Sequence, residues 1–307
     1  MSTLNISVTK RHGAAEPFDL AKLEKVLYWA TDNLDNVSIS QVMMKSRIQF
    51  TDGISTETIH DVLTRTASDL ISAENPNYQY VAARLAMFQL RKDVYGDFVP
   101  CSLLEQIKKG TDIGVYDKHI LRDYTEEEIN LLDTYINHDL DMTLAYAAVK
   151  QLTGKYLVQN RVTKEIYETP QFLYMLVSMC LFHMYPKDTR IGYVKRFYDA
   201  SSSGKISLPT PIMAGVRTPS RQFSSCVLID VDDSLDSINA SASSVVKYIS
   251  QRAGIGLNVG RIRALGSPIR GGEAVHTGCI PFYKHFQSAV KSCSQGKHCA
   301  PISRNAN

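Results

Sequence analysis

The sequence is poor in the features that mark special classes of protein. Six cysteines in 307 residues are too few for a disulfide scaffold. The amino terminus, Met1-Ser2-Thr3-Leu4-Asn5-Ile6-Ser7, lacks the apolar stretch of a secretory signal. The longest apolar run, Phe172 to Phe182, contains Ser178 and falls short of the roughly 20 residues that cross a bilayer. Net charge is only +3, from 34 basic and 31 acidic residues, so the balance calls for no nucleic-acid partner. Nor is there the composition of a collagen, a coiled coil or a long disordered chain. These exclusions predict a soluble, cytoplasmic protein with reduced thiols and no membrane contact. At about 150 residues per domain, the length predicts two domains and part of a third.

Periodicity then orders the chain in three stretches. Residues 5–9 alternate as a short strand, Lys10-Arg11-His12-Gly13 turns, and Glu16-Pro17-Phe18 returns. Asp19 caps a helix with apolar Leu20, Leu23, Leu27 and Ala30. Ile59, Val62, Leu63, Ala67, Leu70 and Ile71 mark a second helical face, with Ser55 or Thr56 as cap. A third helix runs from about Tyr78 to Val94 and stops at Gly96. Together these form a helical unit with a β-hairpin lid, residues 1–95.

Residues 96–220 read as mostly helical. Thr125-Glu126-Glu127-Glu128 is a capped acidic helix start, and 144–152 is another helix. Lys155 to Tyr167 reads as a hairpin, and Pro170 opens an apolar helix closed by Pro186. From 221 the order becomes βαβα: a strand at Cys226-Val227-Leu228-Ile229, a helix over 234–250, a strand over 254–259 and a helix opened by Pro281. That order predicts a parallel sheet. The fold class is therefore α+β followed by α/β.

Few motifs carry chemistry unaided. Lys10, Arg11, Lys22 and Lys92 reach helix ends or turns from separate segments, as triphosphate binding requires, or are scattered surface cations. His60 lies on the first turn of its helix, facing a ligand or solvent. The glycine-rich stretch 253–272, with Arg261, Arg263 and Arg270, misses the dinucleotide fingerprint and has no Walker lysine-serine. It reads equally as an anion-binding loop or a flexible surface loop. Cys101 and Cys180 sit in helical contexts, and Cys226 opens a buried strand, where a core cysteine is the plain reading. Cys279, Cys293, His298 and Cys299 match no common zinc spacing, so no metal is expected.

Longer motifs change the picture. Ser207-Leu208-Pro209-Thr210-Pro211-Ile212-Met213, the run from Arg217-Thr218-Pro219-Ser220-Arg221 to Cys226, Tyr248 to Gly256, and the 266–272 loop resemble the large (alpha) subunit of class Ia aerobic ribonucleotide reductases of the bacterial and phage type. The resemblance covers about residues 4–296. It implies an ATP-cone at 1–95, a helical N-terminal domain at 96–220, and at 221–296 the first strands of a ten-stranded α/β barrel. It implies an enzyme that reduces ribonucleoside diphosphates to deoxyribonucleoside diphosphates, at work in DNA replication.

The resemblance also implies site residues. Lys10, Glu16, Lys22, Thr56, His60 and Lys92 would hold an ATP or dATP effector, with Gln89 standing where close relatives carry histidine. Asp233, Ser234, Leu235, Arg263 and Arg270 would form a dNTP specificity site, and Cys293 to Gly296 the start of a relay loop. Thr210 and Ser225 would contact substrate. Cys226 would be one of two redox cysteines, reopened by thioredoxin or glutaredoxin. A small beta subunit would supply a di-iron tyrosyl radical, and the assembled large subunits would dimerise.

The radical cysteine, the second redox cysteine and the shuttle cysteines of the family have no counterpart here. The resemblance breaks at Lys297, leaving a divergent tail, 297–307. A second large-subunit chain completing the barrel is therefore expected, as in a split gene. The rival readings are a nucleotide-binding regulator without catalysis and a truncated remnant.

Overall fold

The computed structural model describes residues 6–160, 162–251 and 253–293. These fall into two compact units. The first takes residues up to 160 with 164–208 and 216–219; the second takes 162–163, 209–215 and residues from 220 onward.

The first unit opens with a small sheet. Strand β1 (Ser7–Thr9) pairs antiparallel with β2 (Ala15–Pro17), Val8 opposite Glu16. It also pairs in parallel with β3 (Ile54–Ser55), Thr9 opposite Ser55. A three-stranded sheet thus replaces the expected hairpin, because β3 is two residues long and too short to show an alternation.

Helix α1 (Leu20–Thr31) starts where Asp19 accepts from the Ala21 backbone at 2.9 Å, and buries Leu23, Leu27 and Ala30. The short helix α2 (Ile39–Arg47) buries only Val42 and Ser46, too few positions for a periodic signal. Helix α3 (Thr56–Ser68) is capped by Ser55 and buries Ile59, Val62, Leu63 and Ala67. It ends before Ile71, which is 40% exposed and not part of the core face. Helix α4 (Tyr78–Tyr95) ends at Gly96 with φ of 74°, a left-handed stop that suits glycine. Val8, Leu27, Val42, Leu63 and Leu85 share one core from these elements.

The chain continues through α5 (Leu103–Asp112), α6 (His119–Asp123), α7 (Glu126–Asp133), α8 (Tyr146–Gln151), α9 (Pro170–Phe182) and α10 (Lys187–Ser202). The Thr125–Glu128 capping box is formed at α7. Cys180 is buried in α9, whereas Cys101 lies between α4 and α5, outside any helix. The hairpin expected over 155–167 shrinks to one bridge, Gln159 with Ile166. A side chain explains part of this: the Val158 N–H, a ladder donor in a longer hairpin, is taken at 2.7 Å by the Glu168 carboxylate.

Buried polar contacts join the early helices to the later ones. Arg91 of α4 donates to the His138 carbonyl and lies 3.5 Å from Asp141. Asp141 accepts from Gln171 of α9 at 3.0 Å, and Gln171 accepts from Tyr198 of α10 at 2.7 Å.

The second unit contains α11 (Thr210–Gly215), β4 (Cys226–Asp230), α12 (Leu235–Ser250), β5 (Gly254–Asn258), a small antiparallel pair β6 (Pro268–Ile269) and β7 (Ala274–Val275), and α13 (Ile280–Cys293). Strands β4 and β5 are parallel, with Cys226 opposite Gly254 and Asp230 opposite Asn258. Ile229, Ile255 and Leu257 pack on one face with Ile238, Val245 and Phe286 from α12 and α13. The other face carries Cys226, Leu228 and Asp230, and Leu228 is 86% exposed. The buried strand predicted from the apolar run is therefore buried on one face only. Parallel sheets are normally covered on both faces. Among the described residues the first barrel strands are present and no closed barrel is formed.

Candidate functional site

The first site lies where the small sheet meets α3 and α4. Lys10 follows Thr9 at the end of β1, and Thr56 follows Ser55, the partner of Thr9, as the first residue of α3. Lys10 and Lys22 approach the same Glu16 oxygen, at 2.7 and 3.0 Å. Hydrogen bonds from Lys10 and then Lys22 hold the Glu16 carboxyl below its usual range, and Glu16 in turn raises Lys22. Three predicted residues from the hairpin and α1 are thus assembled.

Arg11 reaches across to α4, where it pairs with Asp93 at 3.0 Å. Burial pushes the Asp93 carboxyl up, against the pull of Arg11. Gln89 donates to both Asp93 oxygens at 3.1 and 3.2 Å. His60 stacks on Phe88 with ring centroids 5.0 Å apart and planes 10° from parallel. Burial first, then the Arg11 charge, pushes His60 down to about 4, so it is neutral at pH 7. Lys92 bonds Asp97 at 3.2 Å with its ammonium 6.0 Å from the Phe88 ring centre. His60 Nδ1 and Gln89 Oε1 are buried and have no hydrogen-bond partner among the described residues.

Sequence reasoning missed Phe88 and Asp93 here. Both follow from the helix at 78–95, since Phe88 with Lys92 and Gln89 with Asp93 are i, i+4 pairs on α4.

The second site is at the start of α12. Ser234 caps the helix by accepting from the Ser237 backbone at 3.1 Å, and Leu235 is 72% exposed. Asp233 accepts from the Arg263 backbone at 3.2 Å and from its guanidinium at 2.8 Å. These contacts lower the Asp233 pKa, the backbone bond first. Arg270, between β6 and β7, has φ of 52° and is followed by left-handed Gly271 and Gly272. Arg261, between β5 and β6, pairs with Asp230 at 2.8 Å.

The third site is the open face of β4. Cys226 is exposed, and its Sγ would lie 3.5 Å from a β-carbon built on Gly254. Glycine at that register position leaves the floor beside the thiol bare. Ser225 is exposed and its carbonyl accepts from Gly254 at 2.9 Å. Thr210 opens α11 in the same unit. The relay loop expected over Cys293 to Gly296 begins at the last residue of α13, and its remainder, with the rest of 294–307 including His298 and Cys299, lies outside the described residues, as does Arg161.

Comparison with known proteins finds a match within each of the three stretches. The ATP cone domain matches residues 6–93, the all-alpha domain of ribonucleotide reductase matches 142–221, and its barrel domain matches 224–299. The chain belongs to the ribonucleotide reductase family. It is 67% identical over 292 residues to ribonucleoside-diphosphate reductase 1 subunit alpha of Escherichia coli K12, covering 95% of this chain and 38% of that one. The alpha subunit of Haemophilus influenzae is 65% identical, covering 95% and 39%. That of Enterobacteria phage T4 is 50% identical over 291 residues, covering 95% and 38%. The chain thus spans about two fifths of the length of these reductase subunits. No helix among the described residues is long and apolar enough to cross a membrane.

Proposed function

We propose that this chain forms the N-terminal part of a ribonucleoside-diphosphate reductase large subunit and works once further polypeptide completes its barrel. The observation that carries this reading is the open face of β4 and β5. It holds Cys226 opposite Gly254 and leaves Leu228 86% exposed, on the side away from α12 and α13. In an α/β barrel with its helices outside, that side faces the interior. A thiol there, with a glycine floor, has room for a substrate. A second chain carrying the remaining strands is the proposed cover, and a small beta subunit the proposed source of the radical.

In this reading Cys226 and a cysteine of the completing polypeptide supply two electrons and two protons. The ribose 2′-hydroxyl leaves as water while the two thiols close to a disulfide. Thioredoxin or glutaredoxin is the proposed reductant, and Ser225 and Thr210 are the proposed substrate contacts. The cytoplasm is the proposed compartment, since thiols kept for exchange need a reducing one.

The residues at the first site fit a nucleoside triphosphate. Lys10, Arg11, Lys22 and Lys92 meet phosphates beside the α3 N-terminus. The unpartnered His60 Nδ1 and Gln89 Oε1 suit the ring nitrogens and amino group of a purine. Leaving such atoms unmet costs roughly 1–3 kcal/mol each, which a ligand would recover. This is the proposed ATP or dATP activity site, within a proposed 1–95 domain. Asp233, Ser234, Leu235, Arg263 and Arg270 are the proposed dNTP specificity site, with the carboxylate for ribose and the arginines for phosphates. The proposed assembly is a dimer of completed large subunits.

The test is CDP reduction by this chain mixed with the completing chain and a beta subunit. Turnover that needs all three supports the reading. Turnover that persists when this chain is withheld ends it.

A further inference from the structure

A second cluster of ligating side chains lies away from the nucleotide and thiol sites. His119 and Asp123 are i, i+4 neighbours on α6, so they share one face. His183 follows Phe182 at the end of α9, 60 residues beyond Asp123. The two imidazole rings lie 5.0 Å apart, and His183 Nδ1 is 2.8 Å from Asp123 Oδ2. One ligand atom from each of the three side chains lies within 4.8 Å of the other two. In a tetrahedral zinc site, with bonds of about 2.0–2.1 Å, ligand atoms sit roughly 3.3 Å apart. Small rotations of the side chains close that gap.

The surroundings hold these groups in place. Asp117 Oδ1 lies 2.9 Å from His119 Nδ1 and also accepts from the His119 backbone at 2.9 Å. A carboxylate on one imidazole nitrogen orients the ring and leaves the other nitrogen for a metal. The Tyr124 hydroxyl donates to the Met179 carbonyl at 2.8 Å, pinning the end of α6 to the last turn of α9. The carboxyl end of α9 favours a cation nearby. One group opposes: Arg122, whose side chain is 71% exposed, bonds both Asp123 oxygens at 2.7 and 3.1 Å.

We propose that His119, Asp123 and His183 bind a divalent transition metal of the zinc class that clamps α6 to the end of α9. Two imidazoles and one carboxylate select such an ion over magnesium or calcium, and water would fill the fourth position. Arg122 then competes with the metal for Asp123 and sets the affinity.

The experiment titrates the metal-stripped full chain with Co(II), read by its visible bands, and then displaces it with Zn(II). One equivalent should bind without the near-ultraviolet band of a cobalt thiolate. The His119→Ala/His183→Ala double variant should lose that equivalent. Asp117→Asn should weaken binding about 10–100-fold, the usual cost of removing such an outer partner. Arg122→Ala should tighten binding several-fold, which a plain ion-pair cluster does not predict. No binding by the wild-type chain, or unchanged binding in the double variant, overturns the proposal. If the double variant fails to fold, Arg122→Ala decides: unchanged or weaker affinity overturns it.

Discussion

Arg217 donates through Nε to both oxygens of Glu168, at 2.9 and 3.1 Å, with both side chains fully buried. The same carboxylate accepts from the Tyr116 hydroxyl and the Val158 backbone, each at 2.7 Å. Gln106 donates to the Tyr116 hydroxyl at 2.8 Å and to the Tyr167 carbonyl at 2.7 Å. Arg217 Nη2 donates to the Tyr156 carbonyl at 3.0 Å. The network gathers α5, the 156–168 segment and the approach to the second unit around one ion pair.

Cutting one partner leaves a bare charge in the interior. Glu168→Ala should destabilise the first unit by about 3–5 kcal/mol. Denaturant unfolding of variant and wild type measures this. A loss under about 1 kcal/mol would mean that water or relaxation replaces the carboxylate.

Nucleotide affinity should depend on the cations of the first site. Arg11→Ala and Lys92→Ala should each weaken ATP binding about tenfold, the loss of one charge-assisted hydrogen bond. Calorimetric titration measures it. Equal affinities in wild type and both variants would place the nucleotide elsewhere. Gln89→His should weaken ATP and dATP binding alike, because it removes the unpartnered amide oxygen assigned to the purine that the two share.

Acid should weaken the first unit. Burial holds His60 and His138 at about 4, with Arg11 and Lys92 pushing His60 further down against Asp61, and Arg91 pushing His138 down against Asp139. Unfolded histidine titrates near 6.5, so between about pH 6.5 and 4 the unfolded chain takes up protons that the folded chain refuses. Stability falls with falling pH across that window. Asp141 acts oppositely: burial raises it to about 6, so the folded chain takes its proton before the unfolded chain does. Asp93 and Asp133, which burial also raises, act with Asp141, whereas the lowered carboxyls of Glu16, Asp97 and Glu128 act with the two histidines, and the net change should be a loss on acidification. Urea midpoints at pH 6.5 and 5 read it, and His138→Phe should flatten the slope. A midpoint that rises on acidification contradicts this.

Cys226→Ser in a completed enzyme should abolish turnover that draws on a thiol donor, while ATP binding stays as in the wild type. Retained turnover would remove Cys226 from the chemistry.

Much of the fold was legible because long helices carry their own signals. Asp19, Ser55, Thr125 and Gly96 mark ends that the structure confirms. The βαβα order also held, since Cys226 to Asp230 and Gly254 to Asn258 pair in parallel around α12. What was not legible depends on contacts distant in sequence. Strand β3 exists only because β1 is there to pair with it. The burial of β4 depends on a layer that the described residues do not supply. Arg217 stood out within the Arg217-Thr218-Pro219-Ser220-Arg221 motif, yet nothing local foretold its partner Glu168, 49 residues earlier. His119 and His183 likewise meet only through the packing of α6 on α9. At the first site, Lys10, Glu16 and Lys22 were read together from the resemblance, while Arg11–Asp93 and the Phe88 stack needed the folded α4.

The most direct measurement is to tag this chain, recover it from its native source at low salt and weigh what comes with it. The account predicts a stoichiometric second chain carrying the remaining barrel strands. A lone 34.3 kDa chain that binds ATP and brings no such partner would contradict it and favour a nucleotide-binding regulator.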